Sequence, residues 1–463
     1  MKFVLIKPWL RSRYKEPFLK DFDRPRQPLG LATLAAVLEK EGHNVTILDA
    51  FIEKIKSEDI PDRVYEPDMF VVATAGYDRW QCPNPIYKDA VDTANALKKK
   101  YPNVKICFIG PHGTMRPEEV LAHKSVDYLI RGEPELSFQE LLRNLNDPSV
   151  IEKGVCSKKD GKLVIKPVGE FVPSLDELPI PAYHLLKMEL YNHPSLTEKN
   201  FTIMVMSRNC PFNCTFCFRN MYGEGYRTRS PEKVIEEIKL LKDKFDVKNI
   251  YFQDLEFCLD KAHTKKICDL IVQEGLQDIK WGCTTRVTSV NEDLLVSMKQ
   301  AGCQFIAYGL ETADPEVLKA LRKGITLEAV RNTINLTRKV GIKTIVTSMV
   351  GLPKDSKEAQ DRAFKVTREI NPDVIGVGTV NVPYPGTPIY QQGRELGIIP
   401  DDKWESIYHG VGIIGNEFNK ESVAKTWRQL RFQLRLWRYK KEYGTLFMVH
   451  PKFLKQIARK VLN

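Results

Sequence analysis

Cys210, Cys214 and Cys217 stand at x3 and x2 spacing in Asn209-Cys210-Pro211-Phe212-Asn213-Cys214-Thr215-Phe216-Cys217-Phe218, directly after the β-type run Phe201–Met206. A loop of this spacing can wrap three thiolates around one face of a cubic iron–sulfur cluster. The fourth iron is then left without a protein ligand, and an open metal position is what separates a catalytic site from a structural one. A zinc knuckle and three buried thiols are the plainer alternatives. Zinc needs a fourth Cys or His close by, and the next one downstream is Cys258.

The chain has 463 residues and ten cysteines; the other seven (82, 107, 156, 258, 268, 283, 303) are scattered. That usage suits a reducing cytosol and one cofactor site, not a disulfide scaffold. Cys107, Cys268 and Cys283 lie in apolar-patterned segments and read as core thiols. The length accommodates two or three domains, each with its own core.

The elements that must position the cysteines follow from the pattern. Over about 1–148, strands are expected at Phe3–Ile6, Val45–Leu48, Met69–Thr74, Val104–Ile109 and Val126–Ile130. Helices are expected between them at Leu29–Glu41, Pro85–Tyr101, Pro117–His123 and Leu136–Leu145. Short β-branched runs alternating with helices give a doubly wound parallel sheet, which binds ligands at the carboxyl ends of its strands. Residues 149–199 read as a linker: a hairpin turning at Asp160-Gly161, then the stiff connector Leu175–Ala182 with its two prolines.

From about 200 to 390 six more strands alternate with helices: Phe201–Met206, Asn249–Asp254, Lys280–Arg286, Gln304–Leu310, Lys343–Val350 and Val374–Val380. Ser230-Pro231 is a strong helix start, with an N-cap hydroxyl and a proline in the first turn.

The cysteine spacing, with aromatic Phe216 before the last cysteine, resembles the signature of the radical S-adenosylmethionine (SAM) superfamily. The six βα units resemble that superfamily's partial barrel, whose site lies at the carboxyl ends of the strands. The resemblance implies a [4Fe-4S] cluster on Cys210, Cys214 and Cys217, with SAM chelating the open iron through its amino and carboxylate groups. An electron from the cluster then breaks a carbon–sulfur bond of SAM and releases a deoxyadenosyl radical. Carried over by position, Phe216 packs near the adenine, Glu311 faces the ribose or methionine portion, and Arg286 offers a fork to the SAM carboxylate. Gly351 lets backbone approach the adenosine. The superfamily's Gly-Gly-Glu is missing from the second strand; Gln253-Asp254-Leu255-Glu256 stands there, with Asp254 in the place of the amino-group contact.

The first region resembles the cobalamin-binding domain that precedes many radical SAM domains. The matching pieces are Pro28-Leu29-Gly30-Leu31, Gly110-Pro111-His112-Gly113 and Arg131-Gly132-Glu133-Pro134-Glu135. An Asp-x-His-x-x-Gly motif is absent after the first strand, so no histidine of that loop ligates cobalt. The resemblance implies cobalamin contacts from Leu29, Gly30, Thr74, Tyr77, Gly110, His112, Gly132 and Glu133. Read by itself, His112 is a turn residue bonded to backbone. Pro383–Pro388 resembles a segment of the anaerobic cyclase and methylase branch, and there Tyr384 reads as packing.

Together these features imply an α/β enzyme: a cobalamin-dependent methyltransferase acting on a carbon of a small-molecule, lipid or tetrapyrrole substrate. A radical cyclase or rearrangement enzyme with the same cofactors is the first alternative, and a noncatalytic iron–sulfur or cobalamin-binding regulator is the second. An electron donor such as ferredoxin or flavodoxin is implied.

Net charge is +11, and ten of those charges fall between Lys425 and Asn463, within the helical region expected over 391–463. There Trp427, Leu430, Leu434 and Trp437 form an apolar stripe beside Arg428, Arg431, Arg435 and Arg438. Such a helix either packs on the barrel with its arginines in water or lies on an anionic membrane surface. No motif accompanies the charge to indicate nucleic acid. No run is long enough for a membrane span, so a cytoplasmic chain, soluble or peripheral, is expected.

Overall fold

The computed structural model describes residues 1–9, 25–77, 80–84, 86–192 and 200–399, together with Trp437. The basic helix expected after residue 424 otherwise lies outside the described residues.

In the first sheet, β1 (Lys2–Lys7), β2 (Asn44–Asp49), β3 (Met69–Ala73), β4 (Lys105–Ile109) and β5 (Tyr128–Ile130) run parallel. β6 (Val155–Lys159) and β7 (Lys162–Val164) follow them. The strand order is β2-β1-β3-β4-β5-β6-β7, and the last two strands pair antiparallel. The hairpin expected in the linker is therefore the edge of this sheet. Its turn reads correctly from Asp160-Gly161, but nothing local to the hairpin shows that Val155 will pair with Ile130.

Side chains alternate as a strand requires: Phe3 and Leu5 enter one buried cluster, Val4 and Ile6 the other. The chain reverses its winding between β1 and β3. Their carboxyl ends form the crevice where such sheets take ligands.

The second sheet begins with β8 (Phe201–Met204). A two-residue antiparallel ribbon, β9 (Ser207–Arg208) with β10 (Arg227–Thr228), then brackets the cysteine loop. β11 (Asn249–Phe252), β12 (Lys280–Thr285), β13 (Cys303–Glu311), β14 (Lys343–Val350) and β15 (Val374–Val380) complete six parallel strands in sequence order from β8. Sequential order without reversal is the winding of a βα barrel, here six units long. Ser230 caps the Pro231–Phe245 helix through the Lys233 amide, as its sequence predicts.

The two halves share a core. One buried cluster runs from Val4, Ile6 and Phe70 through Trp80, Phe218, Met221 and Tyr222 to Ile250 and Trp281. Gln27 reaches across to β8, the edge strand of the second sheet. Its amide donates to the Phe201 carbonyl at 2.7 Å and accepts from the Ile203 amide at 3.2 Å. The side chain so occupies part of an open strand edge.

Candidate functional site

The cysteine loop is braced on every side. Asn209 holds a left-handed φ of 70°, a conformation Asn tolerates better than most residues. Its side-chain oxygen accepts from the Cys210 amide at 2.7 Å, and its amide donates to the Gly223 carbonyl at 2.6 Å. Arg219 staples the loop internally, donating to the Cys210 carbonyl at 2.9 Å and to Asn213 Oδ1 at 2.8 Å. The Thr215 amide donates to the Leu321 carbonyl, and the Thr215 carbonyl accepts from the Ile389 amide.

All three loop cysteines are partly exposed free thiols. Burial raises the pKa of Cys217, and its neighbours Cys214 and Cys210 raise it further. Among the described residues no three His, Cys, Asp or Glu side chains converge on a single ion. Three thiolates on one short loop are the ligand set that a cubic cluster with one open iron takes.

Two buried cations face Cys214. Arg286, at the end of β12, sits over the Phe212 ring, 3.8 Å from its centroid, and brings its guanidinium to 3.8 Å from the Cys214 sulfur. Lys323 lies 5.7 Å from the Phe216 ring centroid and pairs with Glu311 at 2.9 Å. Burial opposes the Lys323 charge, but Glu311, with Cys214 adding, leaves the ammonium pKa raised. Arg286 also donates to the Lys323 carbonyl, so the two cations form one unit.

Glu311 has a left-handed φ of 64° where the β13–β14 register slips. Strain of this kind collects at functional sites. Gly309 makes the room: a Cβ there would lie 2.7 Å from Glu311 Oε1 and 2.9 Å from Lys323 Nζ. Gly351, at φ 76°, gives its amide to Asp355 at 2.9 Å and its carbonyl to Asn381 at 3.1 Å. Phe216 packs beside Val317, Leu321 and Leu352.

Three buried polar atoms around this group have no hydrogen-bond partner among the described residues: Thr215 Oγ1, Gln253 Oε1 and Arg286 Nε. Unpaired buried polar atoms are rare in a finished interior and fit a site that receives a polar ligand. The geometry thus gathers Cys210, Cys214, Cys217, Phe216, Arg286 and Glu311 at one end of the second sheet, with Lys323 added. Lys323 gives no periodic signal, because it follows a helix in Arg322-Lys323-Gly324 like any surface lysine.

Asp254 does not reach this group. Its carboxylate is fully engaged by the Ser207 amide at 2.6 Å, the Ser207 hydroxyl and the Met206 amide at 3.2 Å. It fixes the turn from β8 into the ribbon. Glu256 accepts from the Thr285 hydroxyl and from the Arg286 amide at 3.1 Å, which sets the Arg286 backbone.

Burial pushes the Asp254 carboxyl up to about 7, against the Ser207 and Met206 donors that pull it down. An acid with a raised folded-state pKa keeps a proton that the unfolded chain has released. Its contribution to stability is full below about 4 and is lost as pH rises through about 7. Denaturant midpoints of the wild-type chain are expected to fall between pH 5 and pH 8, and to fall less in Asp254→Asn. An equal decline in both would contradict this assignment.

At the β1/β3 crevice, Pro28, Gly30, Ala73, Ala75 and Gly76, with Lys7 and Trp80, line a narrow cleft of about 10 Å³. Trp80 covers Gly30, whose Cβ would lie 3.0 Å from the indole. Tyr77 packs tilted against Trp80 at 4.6 Å and meets Tyr222 edge-on at 6.1 Å. The indole occupies the face that these small residues leave open, and Leu29, Gly30 and Tyr77 stand at the cleft or beside it.

The other expected contacts point elsewhere. The Thr74 hydroxyl donates to the Ile109 carbonyl, and Gly110, at φ 116°, backs onto that hydroxyl. His112 lies in a one-turn helix, Pro111–Met115, where Nε2 donates to the Asn84 carbonyl at 2.7 Å. Burial lowers its pKa to about 4, so it is neutral at pH 7. The Gly132 amide donates to Thr114 Oγ1 at 2.9 Å. Glu133 spends both oxygens on arginines of the ribbon: Arg227 at 2.6 and 3.1 Å and Arg208 at 3.0 Å. Sequence gives no sign of that pairing, because the partners lie more than seventy positions apart.

Tyr384 is buried, and its hydroxyl donates to the Pro83 carbonyl at 2.7 Å. It joins the barrel's last loop to the loop after β3. Among the described residues no helix is long and apolar enough to cross a membrane.

Comparison with known proteins matches two regions of the chain to family models. Residues 204–365 match the model of the radical SAM superfamily, and residues 22–142 match that of the B12 binding domain. An uncharacterized methyltransferase, PH0819, from Pyrococcus horikoshii is 30% identical over 100% of this chain and 98% of its own length. The anaerobic magnesium-protoporphyrin IX monomethyl ester cyclase of Rubrivivax gelatinosus is 27% identical over 82% of this chain and 69% of its own. Among solved structures, the cobalamin-dependent SAM radical enzyme OxsB, with aqua-cobalamin and SAM bound, superposes with a TM-score of 0.72. That match has 15% identity and covers 99% of this chain and 70% of OxsB, a likeness of fold.

Proposed function

Because the chain belongs to the radical SAM superfamily and carries a B12-binding domain ahead of the barrel, we propose that it is a cobalamin-dependent methyltransferase acting on a carbon of a small-molecule, lipid or tetrapyrrole substrate. The observation that carries this reading is the pairing of one intact three-cysteine loop with two buried cations, on a barrel half that packs against the first sheet through Phe218 and Tyr222.

When bound, the cluster, SAM and cobalamin supply the reducing electron, the reactive carbon–sulfur bonds and the methyl carrier. The chain supplies the rest. Cys210, Cys214 and Cys217 would hold the cluster. Arg286 and Lys323 offset thiolate charge at Cys214 and offer donors to a carboxylate. Glu311, with Thr347 3.3 Å from its second oxygen, presents an acceptor for hydroxyl or ammonium groups. Gly30, Ala73, Ala75 and Gly76 would take an apolar part of the cobalamin.

Water is kept out where the halves meet. Trp80, Tyr77, Tyr222, Phe218 and Met221 are all buried there, and the Phe218 amide donates to the Gln81 carbonyl at 3.2 Å. A dry site strengthens every electrostatic contact inside it.

The similarity to the cyclase supports the second reading, radical chemistry without methyl transfer. One assay separates the two. Anaerobically reconstituted protein with SAM and dithionite should form deoxyadenosine, and in the presence of a methyl-accepting substrate it should form S-adenosylhomocysteine only when cobalamin is supplied. Deoxyadenosine with no S-adenosylhomocysteine under any condition would favour cyclisation or rearrangement. Neither product would favour a regulator.

A further inference from the structure

The loop after β5 enters the barrel half through two glutamates, and both grip the neck of the cysteine loop. Arg208 of β9 makes a fork on Glu135, at 2.7 and 3.2 Å, and also reaches Glu133 at 3.0 Å. Arg227 of β10 makes a fork on Glu133, at 2.6 and 3.1 Å, and donates to the Val172 carbonyl. The two carboxylate side chains are 1% exposed and the arginines 5% and 13%.

This arrangement explains why the ribbon exists. Arg208 and Arg227 are directly opposite each other across it, and like charges so placed repel. Two residues per strand supply too few ladder bonds to overcome that repulsion. The glutamates neutralise both cations and tie them to one anchor. The segment between positions 208 and 227, the three cysteines included, leaves and re-enters the fold at this neck, with the Thr215 and Phe218 contacts bracing it in between. Only Asn209, in its left-handed conformation, separates Arg208 from Cys210.

We propose that Glu133 and Glu135 are positioning residues for the iron–sulfur site: through Arg208 and Arg227 they set the spacing of the ribbon and hence the placement of Cys210, Cys214 and Cys217. The first domain is then part of the cluster's scaffold, gripping it from the same sheet edge that forms the β1/β3 crevice. This rests on the cluster reading given above. Plain glue between domains would affect stability alone, since removing one partner of a buried pair is strongly destabilising. A positioning role also changes the cluster.

The test uses full-length Glu133→Gln/Glu135→Gln, which keeps shape and loses charge. Reconstituted and folded by circular dichroism, it should bind less than half the wild-type iron per chain. The cluster that forms should lose the change that SAM causes in the electron paramagnetic resonance spectrum of the reduced wild type. Wild-type iron content with wild-type spectra, with and without SAM, would overturn the proposal. Should the double variant not fold, Arg208→Lys decides, because it keeps the charge and loses the fork: altered spectra support the proposal and unaltered spectra overturn it. Failure of the cluster reading shows separately, as wild-type protein that assembles no cluster at all, and it would overturn both.

Discussion

Cys214→Ala, reconstituted anaerobically, is expected to assemble no stable [4Fe-4S] cluster and to release no deoxyadenosine from SAM. Three thiolates are the fewest that leave one open iron, and removing one leaves two corners without protein ligands. Cys214 is also the thiol that both buried cations face. Its loss removes the sulfur beside the Arg286 guanidinium, while Lys323 keeps its Glu311 partner. Cys258→Ala is the control: that thiol is fully buried in the barrel core against Met298, and its removal should leave iron content unchanged. Iron quantification and product chromatography read both. A Cys214→Ala protein that still cleaves SAM would overturn the assignment of the site.

The second large effect is expected at Lys323→Met. The ammonium and its Glu311 partner are 8% and 12% exposed, so the methionine leaves a nearly buried carboxylate with only Thr347 beside it. Breaking such a pair from one side costs roughly 3–5 kcal/mol. SAM cleavage should fall at least about tenfold, since a loss of about 1.4 kcal/mol in the transition state already accounts for that factor. The double variant Lys323→Met/Glu311→Gln separates structure from function. A neutral pair of similar volume should restore the unfolding midpoint and leave SAM cleavage low. Recovery of both together would mean that the pair is only structural.

Much of this was legible from residue pattern. Strand and helix alternation fixed both sheets to within a few residues, because parallel strands buried on two faces read as short apolar runs. The cysteine spacing, Phe216, Arg286 and Glu311 marked one end of the second sheet, since each ends or follows a strand. What failed to show was side-chain destination over long range. Glu133 and Asp254 stand in motif positions that suggest ligand contact, yet both bind partners within the protein, Arg227 and Ser207. Lys323, Arg208 and Arg227 carry no periodic signal at all. Three arginine–glutamate pairs, Arg208 with Glu133 and Glu135 and Arg227 with Glu133, cross domains, and no local pattern specifies a contact between distant segments. The hairpin after β5 was missed as sheet for the same reason: its turn is local, but its pairing partner is not.

The cysteine loop is the centre to which the clasp, the paired cations and the interdomain seal all refer. Product analysis of the wild-type chain, reconstituted with iron and sulfide and given SAM and dithionite without oxygen, tests that centre most directly. Deoxyadenosine is expected, and its formation should depend on both reductant and cluster. Protein carrying a full cluster and bound SAM, yet forming no deoxyadenosine, would contradict it.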